Sequence, residues 1–179
     1  MIKIPIPSKL QEKNYTCGPA CLHAVATYFG VGLSSEDEYI KPLKATPQEG
    51  TIPRNIVIFA RKLGLQVKLE RNMDILDLIK LISKNIPVIC AVQAHGDQKY
   101  YGENWSGHYV VAIGYNDKEI FFQDPFLEGY RAKLSYAEFV ARWHDQDGNS
   151  KPYKRLGIAV WKKTKPKEIG KMKKVKKMP

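Results

Sequence analysis

Residues 107–125 read GHYVVAIGYNDKEIFFQDP. The stretch from His108 to Tyr115 is apolar and β-branched enough for a central strand. Asn116-Asp117 is a turn signal, and KEIFFQDP is the returning strand of a β-hairpin. Just upstream, PVICAVQA (87–94) has the same character and predicts a second central strand. Before it, DILDLIKLISKN (74–85) spaces Ile75, Leu78, Ile79 and Ile82 as an amphipathic helix behind an Asp74 cap. QVKLE (66–70) is a short strand, and PRNIVIFARKLG (53–64) is a helix opened by Pro53 and stopped at Gly64. Ser34 or Ser35 starts another short helix, whose first turn is acidic (Glu36, Asp37, Glu38). The first clear helix is TCGPACLHAVATYFG (16–30), capped by Thr16 or Cys17 and ended by Gly30. Downstream of the hairpin, SYAEFVARWHD opens with a Ser135–Glu138 capping box, and LGIAVWKK makes a last strand. Helices first and an antiparallel sheet second is an α+β layout.

The chain has 179 residues, 44% hydrophobic and 26% charged, the balance of one globular domain with a substantial core. No apolar run reaches the roughly 18 residues of a membrane span, and MIKIPIPSKLQEKN has no unbroken apolar stretch for a secretory signal. A cytoplasmic location is therefore expected. Three cysteines, an odd number, read as reduced thiols. The net charge of +11 would suggest nucleic acid if it were spread evenly. It is not. From Lys162 onward the chain holds nine lysines and one glutamate, leaving +3 for the rest. The expected division is a domain over 1–161 and a solvated, mobile lysine-rich tail over 162–179, with at most weak attraction to an anionic partner. No specific nucleic-acid partner is expected.

Chemistry points first to Cys17. A thiol attacks as thiolate, and a helix N-terminus favours the anion through its unpaired N–H groups and dipole. Gly18 lets substrate approach the backbone, and the Cys17 N–H can face an oxyanion. Cys21, inside the helix, and Cys90, inside an apolar strand, read as structural thiols. Of the histidines, His23 lies about 240° round the helix from Cys17 and cannot face it. His95 and His144 sit near element ends, where surface or core roles suffice. His108 opens the strongest strand, a placement that fixes a side chain while leaving its tip accessible. If the hairpin loop has an odd number of residues, Asp124 falls directly or diagonally opposite His108 on one face. Such a carboxylate would hold the imidazole's tautomer and stabilise its cation. With an even loop the two would point apart. Gln11, six residues before Cys17, is placed to pass beside the helix start, where its amide could donate to an oxyanion.

Gln11, NYTCGPACL, GHYVVAIGY and Asp124-Pro125 together resemble the bacteriocin-processing, or double-glycine leader, peptidases of the papain-like clan, closest to their standalone branch. The likeness runs from about Ile4 to Trp161. It implies a papain-like fold and peptide-bond hydrolysis through an acyl-enzyme, with Cys17 as nucleophile, His108 as base, Asp124 orienting it and Gln11 holding the oxyanion. No metal or other cofactor is implied. Peptide or protein is the expected substrate, with cleavage after Gly-Gly in a leader as one form of the reaction. Well-known relatives are fused to an export transporter with an ATPase. This chain has neither a membrane span nor a GxxxxGK[ST] loop, so any transporter would be a separate partner. Trp105-Ser106-Gly107 and Arg142-Trp143-His144 are expected to shape a substrate groove, with Gly18, Trp105 and Gly107 touching substrate. Three alternatives stay open: acyl transfer or amide hydrolysis on the same residues, a non-catalytic peptide-binding module, and a metal or redox site using Cys17, Cys21 and His108.

Overall fold

Helix α1 (Cys17–Tyr28) is almost wholly buried, between a sheet built mainly from the second half of the chain and the two helices that follow it. The computed structural model describes residues 1, 4–94, 106–146, 151–163 and 174–178. Four more helices follow α1 there: α2 (Asp37–Leu43), α3 (Pro53–Lys62), α4 (Ile75–Ser83) and α5 (Tyr136–Arg142). Their starts obey the expected local rules. Pro53 begins α3, the Asp74 carboxylate accepts the Leu76 N–H at 3.0 Å, and the Ser135 hydroxyl accepts the Glu138 N–H at 3.2 Å. Thr16 precedes α1 but caps nothing with its side chain. Its hydroxyl instead bonds to the backbone of Lys13 and ties down the loop before the helix.

The strands are β1 (Gln66–Glu70), β2 (Val88–Gln93), β3 (Gly107–Tyr115), β4 (Glu119–Gln123), β5 (Tyr130–Ser135), β6 (His144–Gln146), β7 (Pro152–Lys154), β8 (Gly157–Trp161) and β9 (Lys174–Lys177). The main sheet runs β1-β8-β2-β3-β4-β5-β9, antiparallel except where β9 joins β5, and β6 and β7 form a separate pair. β2 is buried along its whole length and β3 along most of it, as continuous apolar runs at the centre of a covered sheet should be. This is the expected α+β architecture.

The β3–β4 hairpin departs from the odd loop. Tyr115 pairs with Ile120, so four residues, an even number, turn the chain. A bulge between Ala112 and Gly114 then shifts the register by one, and Val111 pairs with Gln123. Extending that register sets Asp124 opposite Val110 and diagonal to His108, on the same face. The N-terminal segment supports the bulge, because the Ile4 N–H donates to the carbonyl of Ile113, the extra residue, at 2.9 Å.

The tail also departs from expectation. Residues 174–177 pair with the edge strand β5 and Met178 is buried, so this part is not a free solvated segment. An open sheet edge offers unpaired backbone groups that a terminal strand can satisfy, whatever its charge.

Candidate active site

Cys17 is the first residue of α1, beside first-turn N–H groups that have no acceptor within the helix. One turn later, the thiol of Cys21 donates to the Tyr109 carbonyl at 3.2 Å. That contact fixes the height of α1 against β3. Residues i and i+4 share a helix face, so it also sets Cys17 beside the residue before Tyr109, which is His108. Cys21 thus positions the site without entering it, and burial pushes its thiol well up, as it does that of Cys90.

His108 Nε2 lies 2.7 Å from Asp124 Oδ1, with both side chains buried. The other Asp124 contacts are local: Oδ1 also accepts the Phe126 N–H at 2.9 Å, which fixes the carboxylate's orientation. Burial alone would lower the imidazole. The Asp124 carboxylate and a hydrogen bond with the Cys17 side chain outweigh it and push His108 up to about 10. With Nε2 committed to Asp124, Nδ1 is the nitrogen left to meet sulfur. Cys17 is 7% exposed, whereas Cys21 and Cys90 are fully buried. A thiol, an imidazole and a carboxylate in this sequence can transfer a proton and stabilise the ion pair that results.

Gln11 is tied to the chain just past Asp124. Its N–H donates to the Pro125 carbonyl at 2.9 Å, one residue past Asp124, and Pro125 and Phe126 join Leu10, Gln11 and Lys13 around a cavity of about 210 Å³. Its side-chain amide donates to the Lys13 carbonyl at 3.0 Å, while Oε1 is buried without a partner. Gly18 has a packing reason to be glycine: a Cβ there would meet Thr51 Cβ at 2.7 Å. Gly107 is likewise pressed, against Asp145. Trp105 and His95 lie outside the described residues. Arg142 and Trp143 do not form a groove. Both are buried: Arg142 donates to the Gln93 and Ala94 carbonyls and pairs with Glu138 at 3.1 Å, and Trp143 Nε1 donates to the Leu156 carbonyl. His23 is buried against the Tyr39 ring, away from the thiol as its helical phase required.

Sequence reading missed the polar cluster behind Gly107, namely Gln93, Asp145, Tyr109 and Tyr153. One signal was present: Gln93 is the lone amide at the end of an otherwise apolar strand, and buried polar side chains need partners.

The sequence profile of the Peptidase C39 family matches residues 6–146. A comparison with curated proteins finds no match. Among solved structures, a C39-like peptidase from Bacillus anthracis superposes with a TM-score of 0.67 at 16% identity, over 92% of this chain and 98% of that one. The peptidase domain of Streptococcus ComA, a bifunctional ABC transporter of a quorum-sensing pathway, gives 0.62 at 21% identity, over 87% and 97%. A double-glycine-motif protease from an AMS/PCAT transporter, solved with its leader peptide, gives 0.61 at 21% identity, over 92% and 94%. At these identities the structures speak for the fold, and the profile, spanning most of the chain, speaks for descent. The chain belongs to the Peptidase C39 family and, with it, to the cysteine peptidases.

Proposed function

We propose that this protein hydrolyses a peptide bond through a Cys17-His108-Asp124 triad and a thioester acyl-enzyme. The supporting observation is the buried 2.7 Å contact between His108 and Asp124, with Cys17 at the ring's other side. His108, pushed up to about 10, already holds the proton at neutral pH, so Cys17 attacks the carbonyl as a thiolate from the ion pair with that ring. The oxyanion is met by the Cys17 N–H and by Gln11, whose amide turns from the Lys13 carbonyl toward the substrate. His108 then protonates the leaving amine, and water, deprotonated by the same ring, cleaves the thioester. Asp124 holds the tautomer and balances the imidazolium.

The substrate reading follows the relatives. The transporter protease solved with its leader peptide makes a Gly-Gly leader the first substrate class to test. No helix among the described residues is long and apolar enough to cross a membrane. By analogy with the transporter-borne relatives, the proposed setting is the cytoplasm, with an export transporter as the proposed partner. Incubation with synthetic leader peptides, read by mass spectrometry, is expected to give cleavage after Gly-Gly with wild type and none with Cys17→Ala. Intact peptides with wild type would remove the leader reading, and cleavage surviving in Cys17→Ala would remove the nucleophile.

A further inference from the structure

Gly107 directly precedes His108, and a Cβ on it would lie 2.6 Å from both carboxylate oxygens of Asp145. The Asp145 side chain therefore packs flat on the backbone that delivers the base. It is 9% exposed, and no Arg or Lys among the described residues is its ion partner. Its oxygens accept from Gln93 Nε2 at 3.2 Å, from the Gln146 N–H at 2.9 Å and from the Tyr153 hydroxyl at 3.4 Å. Two lines run from it toward the site. Gln93, the cross-strand partner of Gly107, also accepts the Ser106 N–H at 2.9 Å, so one amide joins Asp145 to the start of β3. Tyr153 also faces Tyr109, whose hydroxyl donates to the Thr51 carbonyl at 2.8 Å, and Thr51 is the residue that closes on Gly18.

We propose that Asp145 is a positioning residue: as a carboxylate it clamps Gly107 and, through Tyr153, Tyr109 and Thr51, holds the nucleophile's helix start in register with His108. This rests on the assignment of Cys17 and His108 above. Burial pushes Asp145 up to about 6, against its hydrogen bonds and the charge of neighbouring His144; Tyr153 and Tyr109 are the other titratable groups facing it. The folded value lies above the ordinary 3.8. The stability Asp145 contributes is thus fully present below that value and lost as pH rises through about 6. At neutral pH the protein keeps a buried charge that works against its own fold. A carboxylate accepts from all three donors around it, and protonation turns one of its oxygens into a donor.

The test is iodoacetamide alkylation of Cys17 in the full chain from pH 5 to 8, mapped by mass spectrometry, with thermal midpoints measured alongside. Wild type is expected to gain reactivity through an inflection near pH 6, at the Asp145 value of about 6. Asp145→Asn is expected to lose that inflection and react about tenfold more slowly at pH 7, as a misaligned pair should, while its midpoint stays equal or rises. Tyr153→Phe is expected to fall between the two. An Asp145→Asn profile matching wild type would overturn the proposal, and so would a lowered midpoint with the inflection intact, which is the mark of a merely structural residue. His108→Ala reports on the underlying assignment: if wild type reacts no faster than His108→Ala, the catalytic reading fails, whatever Asp145 does.

Discussion

The hairpin that carries His108 and Asp124 and the segment that carries Gln11 touch at the Pro125 carbonyl but are held very differently. The hairpin is the centre of the sheet, buried on both faces, laddered to β2 and β5, with its carboxylate aimed by the Phe126 N–H. The Gln11 segment has no regular structure and is partly exposed. It hangs on the Pro125 carbonyl and on the Glu36 carboxylate, which accepts the Glu12 N–H at 3.0 Å. A base must keep one geometry through every step of the reaction, whereas an oxyanion donor is needed only when charge develops on the substrate. The stiff region suits the first task and the loosely tied one suits the second.

Two substitutions can break this contrast. Asp124→Asn should cost the most, about 10⁴ in kcat, because the amide can no longer balance the imidazolium or fix its tautomer. Gln11→Ala should cost about 10² to 10³ in kcat with KM little changed, the loss expected of one oxyanion donor. Both are read from leader-peptide cleavage at pH 7. Equal losses would show that Gln11 is as deeply built into the site as the hairpin. A Gln11→Ala enzyme with wild-type kcat would show that the Cys17 N–H and other donors suffice.

The same contrast governs what could be read from sequence. Helix starts at Pro53, Asp74 and Ser135 were legible because local chemistry decides them. The central strands were legible because full burial imposes unbroken apolar runs. The facing of His108 and Asp124 was legible only on the condition of an odd loop; that condition fails, and the facing arises by another route. The loop is even, and a bulge at Ile113, stabilised by the distant Ile4 N–H, restores the parity. No local signal reports such a contact, since its partners lie more than a hundred residues apart. The Asp145 cluster was hidden for the same reason, its members coming from β2, β3, β6 and β7. Arg142 and Trp143 looked like groove residues because large polar and aromatic side chains often are, and only the backbone carbonyls that receive them show otherwise. The lysines of the tail predicted solvation, but charge on a strand does not stop its backbone from completing an open edge.

The central claim is that Cys17, alone among the three cysteines, is activated, and that His108 activates it. Limiting iodoacetamide at pH 6.5, near the ordinary histidine value of about 6.5, followed by peptide mapping, tests both halves at once. The account predicts label on Cys17, little on Cys21 or Cys90, whose thiols burial pushes up, and loss of the Cys17 label in His108→Ala. Equal labelling of the three thiols, or a Cys17 label unchanged by His108→Ala, would contradict it.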